Sequence, residues 1–303
     1  MEIISQRKNK IWFAISLAII IVGIVSWSIW GLRLGIDFKG GTLLELSFKN
    51  QVESNKVAQE LDNIDFTKNN YTLQKTGDRS FLIRTIPLDK DQVNLLESTL
   101  STKVGENQPL RLETVGPTIS NNLKNKAIWA LTLASLAIIL YIAYAFRSVP
   151  KPANSWRFGV CAVIALLHDL LVSVGIYSLL GHVYGFEVNA LFITALLTVM
   201  GFSVHDTIVV FDRIRENLKR YPSKDFITVA NESVLQTLAR SLNTSLTLII
   251  VLLTMLLLGG STITSFIAAL LVGVTIGTYS SIFTATPLLV VWQNRSNKKV
   301  NNS

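Results

Sequence analysis

Carboxyl groups are rare inside long apolar stretches, and this sequence has two. Asp206 lies in GFSVHDTIVVFDRIREN (201–217), after the apolar run Asn189 to Met200 and before the charged residues Asp212, Arg213, Arg215 and Glu216. Asp169 follows His168 in another apolar run that begins after Arg157. An ionised acid at lipid depth is costly and seldom faces hydrocarbon, so each needs a partner or a watery path. At ~1.5 Å per helical residue, Asp206 sits roughly 10 Å inside the charged end of its span and Asp169 roughly 18 Å beyond Arg157, near mid-bilayer. Arg240 opens a further apolar run whose first turns carry Asn243, Thr244, Ser245 and Thr247.

Low dielectric favours a protonated carboxyl, whereas a neighbouring guanidinium favours the ionised form. If Asp169, Asp206 and Arg240 converge, a proton arriving at one acid changes which acid holds the arginine, and the three form a proton relay able to move helices. A proton crossing the whole membrane releases about 2.3 kcal/mol per 100 mV, enough to bias a two-state element by more than about tenfold. Ser203 shares a helix face with Asp206 at i,i+3 and, with His168 and His205, is a candidate modulator. The histidines either pass protons near their ordinary pKa or act as hydrogen-bonded packing residues. The competing reading is a static buried network that only specifies helix packing. Nothing in the two His-Asp pairs has the spacing that a metal requires, and no cofactor is expected. An intramembrane aspartyl protease needs two acids on one water. The glycine-rich context for its second acid is absent and Arg240 would disturb the pair, so no enzyme is expected.

The elements that must position these groups are membrane spans. The chain has 303 residues, 50% hydrophobic and 16% charged. Apolar runs near 11–30, 127–146, 158–180, 188–211, 241–259 and 262–292 approach or exceed the ~20 residues needed to cross a bilayer. The last is long enough to tilt or break, and Pro287 is placed to kink it. Within it Ala269, Gly273, Gly277 and Ser281 form a small-residue ridge for close helix contact. The stretch RSVPKPANSWR, with two prolines, reads as a short irregular connection between the second and third spans. Residues 212–239 read as an amphipathic segment on the membrane surface, with Ile227, Val234, Leu235 and Leu238 toward lipid.

The net charge of +8 is a topology signal. Lysines and arginines gather at 7–10, 147–157, 213–224 and 295–299, alternate sides of six spans, which places both termini of a multi-pass membrane protein in the cytoplasm. Nucleic acid is not an expected partner, and the lipid bilayer is. Cys161, the only cysteine, lies within a span and allows no intramolecular disulfide.

Between the first two spans the pattern becomes that of a soluble domain. Strands are predicted at 42–49, 71–75, 80–85 and 110–115, with helices at 54–64 and 89–100, the second capped by Asp89. This βαββαβ order predicts a ferredoxin-like sandwich. The expected fold class is thus an α-helical polytopic membrane protein of six transmembrane helices with an inserted α+β extracytoplasmic domain. Its divisions are 1–30 (tail and first span), 31–126 (domain), 127–292 (spans two to six) and 293–303 (basic tail). The exit-loop motif GIDFKGGT, with Asp37, Gly40 and Gly41, either is a solvated turn or positions the domain. Thr118 to Lys126 is expected to lie along the membrane surface.

Six stretches, in order across nearly the whole chain, resemble the SecF family of protein-export membrane subunits. They are GIDFKGGT at 35–42, VGPTIS at 115–120, ALLHD at 165–169, GFSVHDTIVVFDRIREN at 201–217, TLARSLNTSLT at 237–247 and GTYSSIFTATPL at 277–288. The resemblance implies kinship with resistance-nodulation-division transporters, and proton-motive-force support of late preprotein export. It implies SecD, the SecYEG channel, YajC and the translocating preprotein as partners. On it, Asp206 falls on the family's relay aspartate, Arg240 on its partner arginine and Asp169 on the third-span aspartate. His205 departs from the family's usual asparagine; it either shifts the pH range of a relay or replaces an amide hydrogen bond. The rival reading is a half-size solute or lipid exporter of the same superfamily.

Overall fold

The computed structural model describes residues 3–150 and 153–301. Lys151 and Pro152 of the expected irregular connection, and the last two residues of the expected basic tail, lie outside them. The chain divides into two compact units, one of Leu34–Trp129 with Val188–Ala190 and one of the remaining segments.

In the first unit a short helix α2 (Ile36–Lys39) leads into β1 (Gly41–Phe48), α3 (Ser54–Asp62), β2 (Tyr71–Lys75), β3 (Ser80–Thr85), α4 (Lys90–Lys103) and β4 (Asn107–Val115). The strands form one antiparallel sheet in the order β2-β3-β1-β4, the arrangement of a ferredoxin-like βαββαβ unit. Period-two alternation on β1 explains the core. Leu44, Leu46 and Phe48 share one face and bury against Val57 and Leu61 of α3 and Val93, Leu96 and Leu100 of α4. On the other face Leu43 meets Ile36 and Leu82 in a small second cluster. Asp89 caps α4 as expected: its carboxylate accepts from Gln92 N (2.8 Å), and Gln92 Oε1 accepts from Asp89 N (3.0 Å).

The entry to this sheet needs glycine. Gly40 and Gly41 have φ of 76° and 141°, and a Cβ on Gly41 would stand 2.6 Å from the Thr85 carbonyl oxygen. A side chain there meets both a disfavoured backbone region and fixed backbone.

The second unit is built from long apolar helices. Among the described residues six are long and apolar enough to cross a membrane: Arg7–Trp30, Pro117–Ala145, Ser155–Tyr184, Ala190–Arg220, Phe226–Leu258 and Thr262–Asn294. They belong to α1 (Gln6–Trp30), α5 (Pro117–Ala145), α6 (Ser155–Tyr184), α7 (Ala190–Arg220), α8 (Phe226–Leu258), α9 (Ser261–Ser280) and α10 (Thr286–Asn301), the last two joined by a π turn at Ser281–Ala285. The chain is therefore a multi-pass α-helical membrane protein with a small antiparallel sheet domain.

Two expectations are corrected. Thr118 to Lys126 does not form a separate surface segment; it is the first part of α5. Residues 212–239 are not one amphipathic segment either, because α7 runs on to Arg220 and α8 starts at Phe226. The apolar face of that region covers protein rather than lipid, with Val229, Ala230 and Val234 fully buried and Ile227, Leu235 and Leu238 packed on the same core. The sixth span breaks, as its length and Pro287 lead one to expect, in a π turn at Ser281–Ala285 just before Pro287, which has no N–H to give the preceding turn; Thr286 Oγ1 donates to the Ser281 carbonyl across that turn (3.1 Å).

Glycines set how closely the spans approach. A Cβ on Gly175 would lie 2.3 Å from the α-carbon of Gly23, so α6 and α1 touch backbone to backbone. On α9, a Cβ at Gly273 would overlap Val199 Cγ2 (2.2 Å), and one at Gly277 would stand 3.0 Å from Ser203 Cβ. The small-residue ridge thus seats α9 on α7.

Two outcomes are expected. Gly41→Ala should destabilise the sheet by about 1–3 kcal/mol, measured as faster hydrogen exchange of β1 amides in the full chain. Gly277→Leu should force α9 off α7 and lower the melting temperature of the purified protein in detergent, whereas Gly201→Leu, at an exposed position with open space around it, should leave it near wild type.

Candidate functional site

Asp206 lies on a continuous buried stripe of α7 formed by Ala195, Val199, Ser203, Asp206, Val210, Ile214 and Asn217. The steps of three and four keep these residues on one helix face, so the helix that buries apolar groups against its neighbours must bury this acid too. His205, one residue away, points off the stripe and is exposed.

Asp169 on α6 is 1% exposed and is held by donors from three helices. Oδ1 pairs with His168 Nδ1 at 2.8 Å. Oδ2 accepts from Ser203 Oγ of α7 and from Ser280 Oγ of α9, the latter at 2.6 Å. With Nδ1 facing the carboxylate, the other ring nitrogen of His168, Nε2, is buried with no hydrogen-bond partner among the described residues. The Gly277 contact makes this node possible, because it brings the α9 backbone to Ser203 one turn before Ser280.

Asp206 is equally buried, at 3%, but sparsely held. Oδ1 accepts from Ser241 Oγ of α8 at 3.3 Å, and Oδ2 has no hydrogen-bond partner among the described residues. Further along α8, Ser245 Oγ accepts from Thr278 Oγ1 of α9 at 2.6 Å. Buried hydroxyls of Ser203, Ser280 and Ser241 therefore meet the two acids, while those of Ser245 and Thr278 meet each other. Such a lining can exchange hydrogen bonds with a carboxyl in either protonation state, since each hydroxyl both donates and accepts.

Of the sequence-derived set, the structure brings Asp169, His168 and Ser203 into one cluster and sets Asp206 one helical turn from Ser203. It does not bring Arg240 to either acid. Arg240 is exposed on α8, beside the Ser241 that touches Asp206, and borders a cavity of about 480 Å³ with Asp212, Arg213, Glu216 and Gln236. Its guanidinium makes no ion pair among the described residues. Arg213 in the same cavity is occupied by Glu216 and Gln236, each at 2.6 Å. Asp37, Gly40 and Gly41 belong to the other unit; there Asp37 Oδ2 accepts from Ala190 N at 2.8 Å. Among the described residues, no group of three or more His, Cys, Asp and Glu side chains is placed to hold a metal.

Ser280, Ser241 and Thr278 were not singled out from the sequence. Ser280 neighbours the ridge position Ser281, and Ser241 directly follows Arg240. Their signal was polarity within an apolar run, which does not reveal which neighbour a hydroxyl meets.

The chain matches two family descriptions: "Protein export membrane protein SecD/SecF, C-terminal" over residues 96–295 and "SecD/SecF GG Motif" over residues 25–52. It is 46% identical to a protein translocase subunit SecF of Thermobaculum terrenum, covering 95% of this chain and 93% of that one. It is 32% identical to a protein translocase subunit SecDF of Bacillus subtilis, covering 96% of this chain but 38% of the longer one. Among solved structures it resembles SecDF of Thermus thermophilus, described as a translocon-associated membrane protein, with TM-score 0.83 and 34% identity over 94% of this chain. The match spans only 38% of that SecDF chain. With both descriptions matched and nearly all of a SecF relative covered, the chain belongs to the SecF side of the SecD/SecF family of protein export membrane proteins.

Proposed function

We propose that this protein is a non-enzymatic accessory subunit of the Sec preprotein translocase that couples the proton motive force to late steps of export, with Asp206 as the residue that takes up and releases the proton. The observation that carries this reading is the contrast between the two buried acids. Asp169 is already engaged by His168 on its own helix and by two serine hydroxyls that join α6 to α7 and α9, so a proton arriving there must rearrange contacts that hold the helices together. Asp206 has an oxygen with no donor on it among the described residues, so a proton can arrive there without disturbing helix packing. Asp169, Ser203 and His168 act as the fixed side of the relay.

Arg240 supplies the cation on the open side. It stands one residue from Ser241, at the border of a cavity rich in charge, and a guanidinium in no ion pair among the described residues can swing toward Asp206 when that group ionises. A charge newly formed at this depth favours whichever helix arrangement brings a counter-charge near it. Movement of α7 or α8 then reaches the sheet domain, which holds or moves the emerging polypeptide.

Such a subunit does not work alone. The matched SecDF chains carry well over half their length outside the region shared with this protein, which supports SecD as the complement; in this reading the two serve the SecYEG channel, together with YajC. Both termini face the cytoplasm, by the distribution of lysine and arginine, and the membrane is the cell's inner membrane.

Preprotein translocation into inverted membrane vesicles containing the whole translocase, with and without a proton gradient, tests the reading. Asp206→Asn should abolish the gradient-dependent increment while the subunit is present at wild-type level, and an undiminished increment would remove Asp206 from the mechanism. Asp169→Asn places an amide against serine donors and should act differently. It should cost about 1–3 kcal/mol of stability and reduce the amount of assembled subunit, seen as a lower melting temperature in detergent.

A further inference from the structure

We infer that Asp37 is the positioning residue that couples the fourth span to the sheet domain, an inference that rests on Asp206 being the proton-bearing group. Ala190, whose N–H donates to Asp37 Oδ2 at 2.8 Å, is the first residue of α7. The first N–H groups of a helix lack intrahelical acceptors, and the positive end of the helix dipole favours a carboxylate there. The contact is reinforced two residues upstream on each segment, where Gly35 N donates to the Val188 carbonyl at 2.9 Å as part of a parallel bridge between Leu34 and Val188. This clasp gives α7 its divided membership, since Val188–Ala190 belong with the sheet domain and the helix from Leu191 onward belongs with the membrane spans.

From the clasp to the centre of the sheet the chain is short and stiff. Asp37 lies within the single turn α2, closed by Lys39 N to Gly35 O (3.1 Å) and Gly40 N to Ile36 O (2.8 Å). Ile36 packs on Leu43 and Leu82, and Gly40–Gly41 turn the chain directly into β1, which pairs with strands on both sides. Asp206 lies about 24 Å along α7 from Ala190 at ~1.5 Å per residue. An axial shift or rotation of this helix when Asp206 changes charge is therefore delivered to its first turn. There the Asp37 carboxylate passes it to β1, where a loose loop would absorb it.

The same vesicle assay tests the inference with Asp37→Ala and Asp37→Asn in the assembled translocase, beside Asp206→Asn, combined with hydrogen exchange on the purified full chain. The expected result for Asp37→Ala is a loss of about fivefold or more in the gradient-dependent increment. Exchange should become faster at the amides of Ala190 and its neighbours while β1 amides stay protected. Asp37→Asn keeps an oxygen acceptor and should recover at least about half of the increment, since the hydrogen bond survives and only the charge contribution is lost. The inference is overturned if Asp37→Ala keeps the full increment while Asp206→Asn loses it. It is also overturned if the loss in Asp37→Ala comes with unprotected β1 amides and no recovery in Asp37→Asn, the pattern of a merely structural residue. Should Asp206→Asn itself keep the increment, the proton reading fails and the coupling role falls with it.

Discussion

A carboxylate buried among transmembrane helices must be answered by donors, and that requirement organises the membrane unit of this protein. Asp169 meets it with His168 on its own helix, Ser203 on α7 and Ser280 on α9. Serine is short, so its hydroxyl reaches another helix only if the backbones nearly touch. Gly277, whose absent Cβ leaves room for Ser203, and Gly273, which accepts Val199, provide that approach. The small residues on α9 and the acid on α6 are thus two parts of one device. Without close packing the hydroxyls would not reach the acid, and without the hydroxyls the acid would be an uncompensated cost at that depth.

Against that fixed node, Asp206 is conspicuous for what it lacks. Its side chain is almost as little exposed, yet it has one long contact to Ser241 and an oxygen with no donor among the described residues. Unanswered buried polar atoms are uncommon in folded proteins and invite a functional reading. The π turn at Ser281–Ala285 directly follows Ser280, so the helix that supplies one of the Asp169 donors also contains a local irregularity. Wider turns of this kind often accompany functional sites, and here Pro287 provides the covalent reason for one.

The sheet domain depends on ordinary rules applied at one unusual place. Its core follows from alternation on β1 and from α3 and α4 covering the same face. The unusual place is the entry, where Asp37, Gly40 and Gly41 lie within a few residues of each other. The glycines permit the backbone path and the aspartate meets the first turn of α7. A motif whose sequence fits either a solvated exit turn or a positioning element makes contacts with Val188 and Ala190, far away in sequence.

Residue types and their periodicity were enough to determine the six long apolar helices, the βαββαβ order, the Asp89 cap and the burial of both acids, because these depend on contacts local in sequence or on the cost of charge in lipid. Motif spelling was enough to indicate the family. Only the tertiary structure decided which acid is saturated and which is spare, that Arg240 faces a cavity instead of an acid, and that the amphipathic region from 212 to 239 packs on protein. The physical reason is common to all three. A hydroxyl, a guanidinium or an apolar face has the same sequence signature whichever neighbour it meets, and the neighbour is selected by how closely the helices approach, which for the Asp169 node is set by Gly273 and Gly277 on a different helix.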